Sequence, residues 1–176
     1  MTRRSLFVLV VTTSPVVFQG ESIHHLYSGY ITWTNTSTDA DGTVTEAATA
    51  VVTGGVVNCD VAFSSPSHSA KTNGSGLISV VVGLRPDQGT TGQSYQIRVA
   101  CPDAEYSNGI RPAKWSHQMD TYRQPGGDVR MDPQTGKQVY PDVLKGTLTD
   151  GDANGSSSMT WSFCRGCKAP PAPPPP

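Results

Sequence analysis

Two cysteines on the apolar side of a period-2 pattern constrain this chain more than any other feature. Val57, Cys59, Val61 and Phe63 share one face of the run Val56 to Phe63, and Tyr95, Ile97, Val99 and Cys101 share one face of the run Gln93 to Cys101. Side chains alternate between the two faces of a strand, so each run reads as a half-buried β-strand with its sulfur turned toward one core. A Cys59–Cys101 disulfide between two strands follows, and with it folding in an oxidising compartment.

The rest of the chain agrees with a β-protein. Helical periodicity is nearly absent, and short β-branched runs bounded by Gly, Asn, Asp and Pro recur along the sequence, the pattern of a sandwich or barrel. Expected strands are Tyr27 to Thr34, Thr43 to Thr53, Val56 to Phe63, Gly76 to Gly83, Gln93 to Cys101, Ala113 to Tyr122, Val143 to Thr149 and Ser157 to Phe163, with Gln138 to Tyr140 as a short extra. Gly54-Gly55 supplies the positive φ values of a tight reversal, which makes the second and third strands antiparallel neighbours. The expected fold class is therefore all-β, a mainly antiparallel β-sandwich of about eight strands. Its size is immunoglobulin-like, but it is not a true immunoglobulin domain: Val99 stands where that family has a Tyr two residues before the second cysteine, and no Trp lies between Cys59 and Cys101.

Three segments divide the 176 residues. Met1-Thr2-Arg3-Arg4 followed by Leu6 to Val11 has the basic start and apolar stretch of a secretory signal, so residues 1–20 are expected to be a signal segment, with a first strand as the alternative. Residues 21–168 are expected to form a single domain, and residues 169–176, rich in proline, an extended tail outside it. No stretch reaches the ~18 uninterrupted apolar residues of a spanning helix, so no membrane span is expected. Charged residues are 15% of the chain and the net charge is −1, which leaves no electrostatic footprint for nucleic acid.

Face parity sorts the cysteines. Met159, Trp161 and Phe163 form the apolar side of the last expected strand, so Cys164 points away from Cys59 and Cys101 and pairs with Cys167. Cys164-Arg165-Gly166-Cys167 has the spacing of an exchangeable redox pair or of half a zinc site. It follows a strand and runs into Lys168 and proline instead of opening a helix, which favours a structural link. With Lys168 it also resembles a variant of the c-type haem attachment string, here in one copy and without a helical scaffold.

Asp150, Asp152 and Asn154 place oxygens at alternate positions, as the start of a calcium loop does. The twelfth position, where a bidentate Glu would close the shell, is Trp161, so Asp-Asn-Gly turn chemistry is the favoured reading. Asp39-Ala40-Asp41-Gly42, with Glu46 beyond, is a weaker version of the same signal, and two such loops at one end could share a calcium ion. No other cofactor is expected. His24 and His25 are adjacent, His68 sits among serines, and His117 alternates with Trp115 and Met119, so none shows metal-ligand spacing. Gly74-Ser75-Gly76 reads as a turn, and the sequons at Asn35, Asn73 and Asn154 are expected in loops.

Between Cys101 and Pro141 a turn signal recurs every few residues, the region where a binding surface belongs. Tyr106, Trp115, Tyr122 and Tyr140 are its expected contact residues for a protein or glycan partner. The functional expectation is a secreted or periplasmic non-catalytic module that binds a partner or serves a structural role. The alternatives are an exported enzyme, either a hydrolase using Asp120 and His117 or a thiol-disulfide exchanger using Cys164 and Cys167, and a calcium-tuned surface module.

Overall fold

The structure, a computed structural model, describes residues 23–83, 94–107, 112–167 and 172–173. The expected signal segment, and the proline tail apart from Ala172 and Pro173, lie outside the described residues. The described chain is nearly all antiparallel β, as the alternation of its sequence requires. In chain order the strands are β1 (Tyr27–Asp39), β2 (Gly42–Thr53), β3 (Val56–Ser64), β4 (Ser69–Val82), β5 (Ser94–Ala100), β6 (Ala104–Ser107), β7 (Pro112–Trp115), β8 (Gln118–Asp120), β9 (Gln124–Pro125), β10 (Arg130–Met131), β11 (Gln138–Val139), β12 (Val143–Gly151) and β13 (Gly155–Arg165).

Nine of these form one curled sheet in the order β12-β13-β1-β2-β3-β4-β5-β8, with β9 also paired to β5. The hairpins β6–β7 and β10–β11 form two small separate sheets. Gly54 and Gly55 turn β2 into β3 with φ values of 54° and 86°, and Thr53 pairs with Val56. The turn is the expected one.

The corner of the curl lies in β4. Its first part, Ser69 to Gly76, pairs with β3, and its last part, Leu77 to Val82, pairs with β5. A strand that changes partner in this way turns a sheet back on itself, so the inner faces meet and close a core. Tyr95 on β5 shows the closure. Its hydroxyl donates to the Lys145 carbonyl on β12 at 3.0 Å and accepts the Trp161 indole N–H from β13 at 3.0 Å, although five strands separate β5 from β12 in the sheet order. Burial pushes the Tyr95 hydroxyl pKa up, against the opposing effect of the Trp161 hydrogen bond.

The core is built from the alternate residues of each strand. Tyr27 and Ile31 of β1, Ala48, Ala50 and Val52 of β2, Val57, Cys59 and Val61 of β3, Ile97 and Val99 of β5, and Trp161 and Phe163 of β13 are all buried in it. Full burial of the Val, Ile and Phe side chains among them is worth about 1.5–3 kcal/mol each, so the inner face carries the stability. Gly146 faces Trp161 across the β12–β13 pair, and any β-carbon there would run into the indole ring. Glycine at this position makes room for the largest core side chain.

The Cys59–Cys101 disulfide joins β3 to the residue after β5 and so crosses β4, which lies between them. Gly76 admits it. A β-carbon there would stand 2.8 Å from the Cys59 sulfur and 2.7 Å from the Ala100 carbonyl oxygen. Gly74-Ser75-Gly76 is strand interior and not the expected turn, and the close approach at Gly76 leaves no space for a side chain. The second disulfide, Cys164–Cys167, closes a short loop at the end of β13, where Gly166 has φ 62° and donates its N–H to the Leu26 carbonyl at 3.1 Å.

Two further expectations are corrected. Ala113 to Tyr122 is not one strand: it breaks at Ser116 and His117, where the Cys101 N–H bonds the His117 carbonyl and separates β7 from β8. Asn35 and Asn73 lie inside β1 and β4 and not in loops, and only the Asn154 sequon falls in a turn.

Candidate functional site at the polar end of the sheet

Past the core, β1, β2, β12 and β13 run on together, and the character of their inner face changes. Register sets Leu148, Met159, Trp33 and Ala48 side by side as the last apolar row. The next row on the same face is Asp150, Ser157, Asn35 and Glu46. Period-2 geometry puts this polar row about 7 Å beyond the apolar one. Asn35 Nδ2 donates to Glu46 Oε2 at 2.9 Å, which holds two of its members in place. A cavity of about 240 Å³ opens beside the row, lined by Asn35, Asp150, Asp152 and Ser157 among others. Another of about 480 Å³ adjoins it, lined by Thr36, Thr38, Asp152 and Asn154.

The two acidic turns foreseen in the sequence do meet at this end. The Thr38 N–H donates to the Asn154 carbonyl at 2.7 Å, tying the β1–β2 turn to the β12–β13 turn. The carboxylates of the β12–β13 turn serve the turn itself. Asp152 Oδ1 accepts the N–H groups of Asn154 and Gly155 at 2.7 and 3.1 Å, and Asp150 Oδ1 accepts that of Gly151 at 2.9 Å. Among the described residues no three His, Cys, Asp or Glu side chains converge as a metal site. Trp161, at the twelfth position of the calcium-like string, is buried in the core.

Beside the polar row stands an aromatic pair. The His117 ring stacks on Trp33 with centroids 4.1 Å apart and planes 29° from parallel. Burial holds the His117 pKa down at about 4, so the imidazole is neutral at physiological pH. Asp120 has a different neighbourhood. Its carboxylate takes a charged hydrogen bond from Arg98 Nε at 2.8 Å, two from the Gln96 amide at 2.8 and 3.0 Å, and the Tyr122 N–H at 2.7 Å. The two groups expected in a hydrolase are therefore engaged with separate partners, Asp120 as the hub of a surface network and His117 as a stacking ring.

That network positions one of the expected contact aromatics. Thr121 is buried, accepts the Ile97 N–H at 3.0 Å and donates to the Tyr122 carbonyl at 3.1 Å. Tyr122 follows with φ 52°, a left-handed conformation that costs a non-glycine residue energy, and its side chain is 68% exposed. Tyr140 instead packs back against the core, its hydroxyl 3.3 Å from Gln138 Oε1. Tyr106 and Trp115 are in the paired strands β6 and β7, and their side chains lie outside the described part of the chain.

Ser157 and Trp33 were missed as site residues by sequence reasoning, which named Glu46 only beside the Asp39–Gly42 string and Asn35 only as a sequon. The signal was present: alternation continued past Thr34 puts Asn35 on the face of Trp33. Among the described residues no helix is long and apolar enough to cross a membrane. Compared with known protein families, with curated proteins and with solved structures, the chain matches none of them.

Proposed function

We propose that the chain is an exported, non-catalytic β-sandwich module, secreted or periplasmic, that binds a protein or glycan partner or serves a structural role. The observation that carries the reading is the Cys59–Cys101 disulfide, with Cys59 buried in the core and given room by Gly76. Cytosolic thiols are kept reduced, so a core arranged around a disulfide suits a compartment where one can form. The basic and apolar opening of the sequence supports the same compartment.

Binding is favoured over hydrolysis by the commitments of the two candidate catalytic groups. Asp120 is held by Arg98, Gln96 and the Tyr122 amide, and His117 is kept neutral against Trp33. The carboxylates of the polar row are likewise engaged, Glu46 with the Asn35 amide and Asp150 with the Gly151 N–H. Cys164 lies near the end of β13 and Cys167 just after it, without the helix N-terminus that lowers a redox thiol's pKa.

The test is intact mass after expression in an exporting host, with alkylation before and after reduction. Loss of the N-terminal segment and no alkylation before reduction is the expected result. An uncut chain with four alkylated cysteines would end the export reading.

A further inference from the structure

We infer that the polar row at the end of the sheet is a subsite for a neutral carbohydrate chain, with Asp150, Ser157 and Asn35 contacting its hydroxyl groups. The inference rests on the binding reading above and names the ligand class of that site.

Asp150, Ser157, Asn35 and Glu46 occupy four successive strands on one face past the last apolar row, Asp150 exposed and the other three half-buried, beside a cavity of about 240 Å³. The chemistry of the lining selects the ligand. It is rich in acceptors: carboxylates at Asp150 and Asp152, an amide at Asn35 and hydroxyls at Ser156 and Ser157, with no Lys or Arg among them. An anion would be repelled, and an apolar ligand would strand these groups without partners.

A single metal ion is poorly matched as well, since among the described residues no three His, Cys, Asp or Glu side chains converge and the Asp150 and Asp152 carboxylates accept N–H groups of their own turn. A chain of sugar units presents donor hydroxyls at intervals along its length, which suits acceptors repeated at the ~4.8 Å strand spacing. Asn35 can accept such a donor through its carbonyl oxygen while its amide nitrogen remains on Glu46. The Trp33–His117 stack stands on the side of the row nearest the core.

The experiment uses the full, oxidised chain labelled with nitrogen-15. Cello-, chito-, xylo- and malto-oligosaccharides are added separately at millimolar concentration, with tetralysine as the cationic comparison, and amide and indole shifts are followed by NMR. The expected result is that at least one oligosaccharide moves the Asn35 side-chain amide and the Ser156 and Ser157 backbone signals. Asp150→Ala, at the exposed end of β12, and Ser157→Ala should each weaken that binding, the former by about tenfold, in variants that still unfold cooperatively. Shifts confined to another surface such as Tyr122, shifts of the row with tetralysine alone, or no shift with any oligosaccharide would overturn the assignment. Each of those results would leave the export reading intact, because signal removal and thiol state are measured separately.

Discussion

Acidification should destabilise this fold through one ring. His117 lies against Trp33, and burial lowers its pKa from 6.5 to about 4. In the unfolded chain the same imidazole takes up a proton near its ordinary value. Between pH 6.5 and about 4 the unfolded state therefore binds one more proton than the folded one, and stability rises with pH across that window. The contribution is fully present above pH 6.5 and is lost as pH falls toward 4. The whole shift corresponds to about 3 kcal/mol. The ring is only partly buried, and solvent screening brings the expected loss to about 1–2 kcal/mol. Urea denaturation from pH 7.5 to 4 measures it, with His117→Phe as the reference, since phenylalanine keeps a ring on Trp33 and does not titrate. Carboxylates that protonate in the same window act in both proteins and cancel in the difference. The wild type should lose about 1–2 kcal/mol more than the variant between pH 6.5 and 4.5. Parallel profiles would refute the argument, because they would mean that the proton meets no penalty at this site.

The two disulfides should differ in weight. Replacing Cys59 and Cys101 by Ala opens a loop with a sequence separation of 42 and should cost about 4 kcal/mol, whereas the Cys164/Cys167 pair, at a separation of 3, should cost about 2 kcal/mol, both read by urea unfolding. Equal costs would contradict the chain-entropy account. Gly76→Ala should destabilise by about 1–3 kcal/mol through contact with the Cys59 sulfur and the Ala100 carbonyl, and the penalty should shrink when both cysteines are already Ala. An undiminished penalty in that double-mutant cycle would show that the disulfide does not press on β4. Tyr95→Phe removes the acceptor for the buried Trp161 indole N–H and the donor to Lys145, and a loss of about 1–3 kcal/mol in thermal unfolding is expected. A neutral effect would mean that the closure between β5 and β12 rests on packing alone.

How much of this was readable in advance varied strand by strand, for a physical reason. β2, β3, β5, β12 and β13 declare themselves because apolar residues alternate with polar ones over most of their length, and Gly54-Gly55 fixes one hairpin. The far half of β1 and the first half of β4 do not. On β1 the inward positions after Trp33 are Asn35 and Ser37, so the apolar signal stops while the strand continues through hydrogen bonding to β2 and β13. On β4 the inward Gly74 and Gly76 look like turn residues, and at Gly76 it is the Cys59 sulfur and the Ala100 carbonyl that leave no space for a side chain. Hydrophobic periodicity detects a strand by what it buries; it is blind where the strand faces a cavity or passes beneath another bond.

The same blindness accounts for the site. Sequence reasoning placed the Asp150–Asn154 turn and the Cys101 to Pro141 loops among the functional places, and the structure joins the first of these to Asn35 of β1, marked only by its sequon, and to Glu46 of β2, marked only by the weaker Asp39–Gly42 signal. Asp150 becomes one end of a row only because Leu148 above it is the last core residue of β12, just as Trp33 is the last aromatic of β1 before Asn35. The boundary between core and cavity is thus a single register line crossing four strands, with Leu148, Met159, Trp33 and Ala48 on one side and Asp150, Ser157, Asn35 and Glu46 on the other. A shift of one residue in any of those pairings would turn that strand's polar member outward and break the row. Register, fixed by the apolar half of each strand, is what aligns the polar half, so the same burial that stabilises the fold also assembles its most chemically varied surface.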